Sequence, residues 1–478
     1  MELRAFGNTG MMVSPLGFGV MRLPMKDGGK TVNSNTIDQV DVDTSIAMIR
    51  AAIDGGVNYF DTAYNYVSGY SERILGDALK DGYREKVYVA TKSPAWLYKS
   101  PEDFDRFLDE QLDRLGLDYV DNYLLHSMNG GSWKKTVRNN AIEGMKRAKE
   151  SGKVRNIGFS FHDDLELFEE ILNAADWDFC QIQLNYYDRD YQAGIKGMKM
   201  AAERGMAVVV MEPLRGGLLV DLPKNAQAVF DGSDIKHSNV EWAFDWLWDM
   251  PEVSCVLSGM STPEQLQQNI GYMQNAHQGM LSDEEHEVLD QAKAALDSRA
   301  AIPCTGCNYC VDMCLNKIAI PYNFRAYNMG TLYDDMELAK DFYQNEVTSY
   351  GRRADSCTSC GSCEEICPQH IAISEWLPKV DELLGEGSFG KDIQGSQTET
   401  GNGRYPRTPY PYTCIPITRY HYTGYNARYF PPHQTRKTYA GKAPNGRNKS
   451  RKYADGRGRY PALQCGPAPG SKSEAKRS

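Results

Sequence analysis

Short apolar segments alternate with amphipathic helical patterns eight times within about the first 280 residues of the chain. The apolar segments have the length of strands and occupy residues 13–18, 57–62, 87–92, 119–126, 155–160, 179–184, 207–211 and 253–257. The helical windows include 44–54, 71–79, 102–115, 142–151, 165–174, 194–204, 240–250 and 262–273. Repeated strand-then-helix units build a parallel sheet, and eight such units close into a TIM (β/α)8 barrel of about 250 residues.

The alternative arrangement is an open doubly wound sheet, but no G-x-G-x-x-G motif follows the first predicted strand. We therefore predict the fold class α/β, with the barrel over residues 1–295. Segments 127–138 and 223–237 have the composition of ordinary surface loops and give no chemical signature for a substrate.

Eight of the twelve cysteines fall between residues 304 and 367, in two runs of the same spacing. The runs are Cys304-x2-Cys307-x2-Cys310-x3-Cys314 and Cys357-x2-Cys360-x2-Cys363-x3-Cys367-Pro368. This is the spacing of bacterial ferredoxins, in which three thiolates of a run hold one [4Fe–4S] cluster and the fourth ligates the other cluster. We predict a small ferredoxin-like α+β iron–sulfur domain over residues 296–385.

Crossed ligation divides these cysteines into two groups, namely Cys304, Cys307, Cys310 and Cys367 for one cluster and Cys314, Cys357, Cys360 and Cys363 for the other. Disulfides would require an oxidising compartment and usually a smaller chain. A zinc site is the other alternative, but it gives no role to the third cysteine of each run. The segment between the runs, 315–356, is long for a compact ferredoxin and is a candidate contact with the barrel or a partner.

Charge is distributed unevenly along the chain. Residues 391–478 contain 17 Lys plus Arg against 4 Asp plus Glu, although the whole chain has a net charge of −10. Four aliphatic residues, Ile393, Ile415, Ile417 and Leu463, are too few to bury a core, so we predict that the tail, 386–478, is disordered. A nucleic-acid-binding or partner-binding arm is one interpretation, and a translated wrong reading frame is the one we favour.

The acidic body argues against nucleic-acid binding outside the tail. No segment approaches the length of apolar chain that spans a bilayer, and the start of the chain lacks the profile of a signal peptide. We expect a cytoplasmic protein.

Four polar residues stand at or just after the ends of three successive predicted strands. Asp61 and Tyr66 follow the second strand, Lys92 ends the third and His126 ends the fourth. The carboxyl ends of the strands form the active-site face of a barrel. Each residue alone has a structural explanation, but together they define a proton donor: Lys92 would lower the pKa of Tyr66, and Asp61 would keep Lys92 charged.

With these residues the chain resembles the aldo-keto reductase family over about residues 1–274. Supporting segments are Val13-Ser-Pro-Leu-Gly-Phe-Gly19, Gly158-Phe-Ser160, Gln181-Ile-Gln-Leu-Asn185 and Glu212-Pro-Leu-Arg-Gly-Gly217. The resemblance implies an enzyme that uses NAD(H) or NADP(H) on a small carbonyl or alcohol substrate. It also implies that Tyr66 delivers the proton to a carbonyl oxygen, that Lys92 and Asp61 tune it, and that His126 orients the carbonyl.

The resemblance further implies that Ser160 and Gln183 hold the nicotinamide carboxamide. Further implied cofactor contacts are Met211, Pro213, Leu214, Gly216, Gly259, Met260, Gln265, Gln268 and Asn269. Two departures from the family pattern are Met211, where many members stack a Tyr on the nicotinamide, and Phe161, where an Asn usually follows the serine. NADPH-preferring members often carry Lys and Arg where this chain has Gly259 and Gln265, so we expect NADH to be accepted at least as well.

Joining the two parts raises a problem of electron counting. A nicotinamide moves two electrons as a hydride, whereas an iron–sulfur cluster passes one, so a flavin or a radical-capable substrate is a possible bridge. In one hypothesis the clusters relay electrons to or from an external carrier. In another they are structural or oxygen-sensing and the barrel is an ordinary carbonyl reductase. From a different class, the chain is an electron-transfer or redox-sensing protein with the barrel as its docking body.

Overall fold

The structure is a computed structural model that describes residues 1–28, 37–304, 306, 309–348, 353–367 and 369–385. All of them belong to one compact unit of the chain. The tail that we predict to be disordered lies outside the described residues. Within the described part, no helix combines the length and the apolar character needed to cross a membrane.

Eight parallel strands form a closed barrel, which confirms the predicted fold class. Neighbouring strands pair in chain order and the last one closes the ring against the first. The strands are β3 (Leu16–Gly19), β4 (Tyr59–Asp61), β5 (Tyr88–Ser93), β6 (Val120–Met128), β7 (Val154–Phe161), β8 (Phe179–Gln183), β9 (Ala207–Met211) and β10 (Val253–Ser258). A short antiparallel hairpin, β1 (Arg4–Ala5) with β2 (Met12–Val13), precedes them.

Helices follow the strands and cover the outside of the barrel. They are α1 (Val42–Asp54), α2 (Ser71–Ala78), α3 (Glu102–Leu115), α4 (Gly130–Arg138), α5 (Ala141–Glu150), α6 (Leu165–Leu172), α7 (Gly194–Ala202), α8 (Lys224–Gly232), α9 (Asn239–Trp248), α10 (Pro263–Met273) and α11 (Asp283–Asp297). Gly116 caps α3 with φ of +65°, a left-handed conformation that glycine adopts at little cost. This glycine ends α3 and lets the chain turn toward β6.

The interior of the barrel is filled from the end opposite the active-site face. Phe6, from the turn of the hairpin, packs against Tyr59 and Phe179 with ring centroids 5.5 and 5.3 Å apart. Cys255 is fully buried in the same cluster, as expected for a core thiol. This plug closes one end, so access to the strand ends is from the other side.

The module after the barrel has its own hydrophobic core. Its α-helices among the described residues are α12 (Tyr309–Met313), α13 (Ile320–Tyr333), α14 (Met336–Glu346) and α15 (Ile373–Leu384), and a short 3-10 helix covers Ala354–Ser356. Phe324 of α13 and Leu377 of α15 are fully buried in that core. At its other end, α13 places Leu332 in the core of the barrel. The segment between the cysteine runs therefore contacts the barrel.

Candidate active site

The four polar residues predicted from the strand ends meet at the mouth of the barrel. The ammonium of Lys92 donates hydrogen bonds to the carboxylate of Asp61 and, at 2.9 Å, to the carbonyl oxygen of Thr62. It lies 3.3 Å from the hydroxyl oxygen of Tyr66. The ring of His126 stands nearly perpendicular to the ring of Tyr66, with centroids 5.7 Å apart. The structure thus brings all four side chains into one cluster.

A strained turn positions Tyr66. Val67 and Ser68 both have φ of +51°, a region that a β-branched residue such as valine rarely enters. The turn is held by Ser71, whose hydroxyl lies 2.7 Å from the hydroxyl of Thr62 and donates to the carbonyl oxygen of Val20 at 2.8 Å. This fixed turn directs the Tyr66 side chain toward Lys92.

A buried polar network supports Lys92 from behind. Glu72 is fully buried and accepts hydrogen bonds from Thr91 and Gln111 at 2.7 Å each, and its other oxygen pairs with Arg114 at 3.2 Å. The Gln111 amide also donates to the backbone carbonyl of Lys92 at 3.0 Å. A buried polar network is rigid when each of its polar groups has a hydrogen-bond partner. These residues therefore hold the backbone of β5 in place at the site.

Burial governs the protonation of the cluster. It raises the pKa of Asp61 and lowers the pKa of Lys92, while the attraction between the two charges acts against both shifts. Burial, reinforced by the charge of Asp61, also raises the pKa of Tyr66 well above its ordinary value. The pKa of Tyr66 is therefore raised overall, opposite to the net lowering expected from Lys92, because burial outweighs the nearby positive charge.

His126 is neutral in this environment. Burial, and then the positive charge of Lys92, lowers its pKa well below the ordinary value. Its Nδ1 atom is buried and has no hydrogen-bond partner among the described residues. A neutral imidazole carries one ring N–H, and such a group can donate a hydrogen bond to the oxygen of a small carbonyl ligand.

The residues predicted for the nicotinamide end of a dinucleotide lie on neighbouring strands. The hydroxyl of Ser160 lies close to His126, since its oxygen accepts a hydrogen bond from the backbone N–H of the next residue, Ser127, at 2.7 Å. Gln183 and Met211 face each other in the register of β8 and β9. The Gln183 amide donates to a carboxylate oxygen of Asp188 at 3.3 Å. Serine, glutamine and methionine therefore border one side of the mouth.

The remaining predicted cofactor residues follow β9 and β10. Pro213 is buried and Leu214 half-buried, and Gly216 has φ of +68° with open space where a Cβ would stand. Gly259, Gln265 and Gln268 are exposed, whereas Met260 and Asn269 are buried. The Asn269 amide donates to the hydroxyl of Ser258 at 3.2 Å. The exposed backbone and amides fit an extended polar ligand, and Met260 and Asn269 support the loop from below.

Arg22 and Glu212, two charged residues that the sequence analysis did not select, lie at the same mouth. The charge of Arg22 acts to lower the pKa of both Tyr66 and Glu212, although burial raises each of these pKa values overall. The stem of Arg22 also covers Gly259, where a Cβ atom would lie 2.6 Å from its Cγ. Both residues stand within three positions of a strand end, and that position was the signal available in the sequence.

Four cysteines of the module form the second predicted group in space. Cys314, Cys357, Cys360 and Cys363 line one small cavity and carry free thiols. Burial raises the pKa of Cys357 and Cys363, and the nearby Cys314 adds to the shift. Four convergent thiols without a disulfide fit the ligand set of a [4Fe–4S] cluster.

The first predicted group is described only in part. Cys304, Cys310 and Cys367 all pack in the core of the module. Cys307 and Pro368 lie outside the described residues. The assignment of this group to one cluster stays a prediction.

Comparisons with known proteins agree with both parts of the chain. The model of the aldo/keto reductase family matches residues 15–294, and that of a 4Fe-4S dicluster domain matches residues 303–372. L-galactose dehydrogenase of Arabidopsis thaliana is 29% identical over a match that covers 62% of this chain and 94% of that protein. NADH-specific methylglyoxal reductase of Escherichia coli is 26% identical, with coverage of 61% and 98%.

A solved aldo-keto reductase from Bacillus halodurans, in its holo form, superimposes with a TM-score of 0.52 and 24% identity, covering 61% of this chain and 96% of that one. That likeness shows the barrel fold. Neither matching family model is described as flavin-binding, so the matches give the predicted flavin no support. The chain belongs to the aldo/keto reductase family and carries a 4Fe-4S dicluster domain after the family's barrel.

Proposed function

We propose that this protein is an NAD(P)H-linked oxidoreductase that reduces a small carbonyl compound or oxidises the corresponding alcohol. The observation that carries the proposal is the contact of the Tyr66 hydroxyl with Lys92, which is paired with Asp61 beside His126. A proton donor with a fixed cationic neighbour accounts for this arrangement of four chemically different side chains.

The four side chains divide the proton chemistry among them. The Tyr66 hydroxyl keeps its proton at neutral pH, because burial raises its pKa, and it donates that proton to the carbonyl oxygen. Lys92 then stabilises the phenolate that remains, and neutral His126 orients the carbonyl by a hydrogen bond. The chemistry that a bound nicotinamide supplies is a hydride for the carbonyl carbon.

Ser160 and Gln183 would hold the nicotinamide carboxamide, beside Met211. The loop with Leu214 and Gly216 and the turn with Gly259 and Gln265 would hold the rest of the dinucleotide. The fit rests on the polar groups at the strand ends and on the open space above Gly216. The Escherichia coli relative whose name specifies NADH supports acceptance of NADH here.

The clusters would pass single electrons between the barrel and an external carrier. Cys360 is exposed, and Leu315, beside the same cysteines, is 82% exposed. The exposure of Cys360 favours a second candidate function, that of an electron-transfer or redox-sensing protein in which the barrel is a docking body.

Replacing Tyr66 with Phe separates the two candidates. We expect Tyr66→Phe to lower the rate of methylglyoxal reduction by about a hundredfold to ten-thousandfold, with iron content and NADH affinity unchanged. The assay is anaerobic turnover of the full chain with its clusters, with Tyr70→Phe as the matched control. Full activity in Tyr66→Phe would remove the reductase mechanism.

Adding NADH anaerobically to the oxidised protein tests the role of the clusters. Bleaching of the visible absorption of the clusters would connect them to the dinucleotide site. An unchanged spectrum, with iron present, would leave the barrel as a carbonyl reductase with clusters outside its electron path.

A further inference from the structure

Asp188, in the loop after β8, connects the nicotinamide side of the mouth with the iron–sulfur module. Its side chain is 9% exposed, and three groups meet its Oδ2 atom. These are the Gln183 amide at 3.3 Å, the Arg215 guanidinium at 2.9 Å and the Arg325 guanidinium at 3.8 Å. Gln183 and Arg215 belong to the barrel, whereas Arg325 belongs to α13 of the module.

The charge of Asp188 fixes the orientation of the Gln183 amide. Burial opposes ionisation, but Arg215 and Arg325 keep the pKa of Asp188 below its ordinary value. An ionised carboxylate only accepts hydrogen bonds, so it takes the NH2 end of the Gln183 amide. The carbonyl oxygen of that amide then points away from Asp188, which is the end that can accept a hydrogen bond from a carboxamide N–H.

Side chains of the module hold this arrangement from outside the barrel. The Arg325 guanidinium stacks on the ring of Tyr191, 4.1 Å from its centroid. The hydroxyl of Tyr333, at the end of α13, accepts a hydrogen bond from Arg215 at 3.2 Å. Within the barrel, the Asn185 side chain accepts from the backbone N–H of Asp188 at 2.8 Å and fixes the loop.

The same residues border a cavity between the two parts of the chain. The cavity has a volume of about 710 Å³, and Asp188 and Arg325 line it together with Cys304 of the first cysteine run. The other cations on its walls have closer partners, as in the ion pair of Lys293 with Asp297 at 2.6 Å. Arg325 therefore faces Asp188 of the barrel across this cavity, at 3.8 Å.

We propose that Asp188 is a positioning residue for the nicotinamide carboxamide and that Arg325 holds Asp188 in place. The docked iron–sulfur module then completes the dinucleotide site of the barrel. This inference rests on the proposed function, because it assigns the carboxamide to Gln183. It adds that the module contributes to dinucleotide affinity without touching the dinucleotide.

The test measures the Kd for NADH by fluorescence titration of the anaerobic, cluster-loaded full chain. We expect Arg325→Gln to raise the Kd about fivefold or more, the lower end of the usual range for coupling between sites, and Asp188→Asn to raise it further. The control is Arg299→Gln, which breaks the 2.6 Å pair of Arg299 with Asp334 at the end of α13. The control should bind NADH within about twofold of the wild type.

A second readout is independent of turnover. Since Arg325 lines the same cavity as Cys304, the redox-inactive dinucleotide tetrahydro-NAD should change the electron paramagnetic resonance spectrum of the reduced clusters in the wild type and in Arg299→Gln but not in Arg325→Gln. Equal Kd values in Arg325→Gln and the wild type would overturn the inference and leave the proposed function standing. A wild type that binds neither NADH nor NADPH would overturn both. If Asp188→Asn does not fold, Arg325→Gln alone still tests the inference.

Discussion

His162, directly after β7, is a second buried histidine at the barrel mouth. It is 4% exposed, and burial lowers its pKa to about 4, with a smaller contribution from the charge of Lys92. In the folded protein it is therefore neutral between about pH 6.5 and pH 4, where the unfolded chain binds a proton at this residue. The unfolded state binds more protons in that range, so stability falls as the pH falls.

We expect His162→Gln to remove this acid sensitivity. Between pH 6.5 and pH 5 the wild type should lose about 1.5 kcal/mol of unfolding free energy more than the variant does. Urea unfolding followed by tryptophan fluorescence measures the difference, with His277→Gln, at an exposed position, as the control. Parallel losses in the wild type and His162→Gln would show that the residue does not titrate in this way.

The space around Gly259 bears on the choice of dinucleotide. A side chain at this position would meet the stem of Arg22, so the lysine of NADPH-preferring relatives has no room here without movement of Arg22. Gln265 is exposed and accepts from the backbone N–H of Ser261 at 2.8 Å. Neither residue offers the cation that a 2′-phosphate requires.

We therefore expect kcat/KM with NADH to equal or exceed that with NADPH. Gln265→Arg should shift the ratio toward NADPH by about tenfold, because a charged hydrogen bond contributes about 1.5 kcal/mol or more. Steady-state kinetics with both dinucleotides measure the ratio, and Gln274→Arg, at the far end of α10, is the control. A large preference of the wild type for NADPH would contradict the prediction.

The clustering of Asp61, Tyr66, Lys92 and His126 could be predicted from their positions relative to the strands. Each stands at a strand end, and strand ends converge whatever the loops do. Asp188 and Arg325 could not be found in this way, because they are separated by 137 positions in the sequence and meet only through the docking of α13. The raised pKa of Tyr66 could not be predicted from the sequence either, since it depends on how deeply the hydroxyl is buried.

At the scale of elements, α2 and α3 pack through a glycine. A Cβ atom at Gly76 of α2 would lie 2.3 Å from the carbonyl oxygen of Leu115, the last residue of α3. Backbone atoms cannot move aside as a flexible side chain can, so a methyl group here forces the helices apart. The close approach of the two helices depends on this residue.

We expect Gly76→Ala to destabilise the protein by about 1–3 kcal/mol, the usual cost of overpacking. Gly271→Ala is the matched control in α10, because nothing lies within 4 Å of its added Cβ. At a helical position with open space around it, replacing glycine with alanine should raise the free energy of unfolding by up to about 1 kcal/mol. Thermal unfolding of both variants should give shifts of opposite sign, and shifts of the same sign would contradict the packing argument.

The sequence predicted the barrel elements well and two loops badly. All eight predicted strands overlap a barrel strand, although the first begins only at Leu16, because Pro15 cannot donate to a ladder. Segment 127–138, expected to be a loop, contains α4, which starts with a capping box between Asn129 and Ser132. Segment 223–237 likewise contains α8. Their glycine, asparagine and lysine content hid the helical pattern.

At the scale of the whole molecule, the second cysteine group allows the number of clusters in a variant to be predicted. Cys360 is the exposed member of the group that lines one cavity. Because crossed ligation places all of its ligands in one cluster, Cys360→Ala, which offers no ligand atom, should lower the iron content from about eight to about four atoms per chain. Iron and sulfide analysis of anaerobic protein checks the value, with Ser362→Ala as the neighbouring control. Full iron content, or loss of all iron, would contradict the assignment.

The ligand pairing has a topological consequence for the segment that carries Arg325. Cys314 and Cys357 line the same cavity and lie at the two ends of segment 315–356. A metal cluster bound to both is a cross-link that closes a loop of about 42 residues, and a covalent cross-link over a loop of this size removes about 4 kcal/mol of chain entropy from the unfolded state. Oxygen that destroys this cluster would remove the cross-link and lower the stability of the segment that holds Arg325 beside Asp188. Exposure to air should therefore weaken dinucleotide binding at a distance from the cluster.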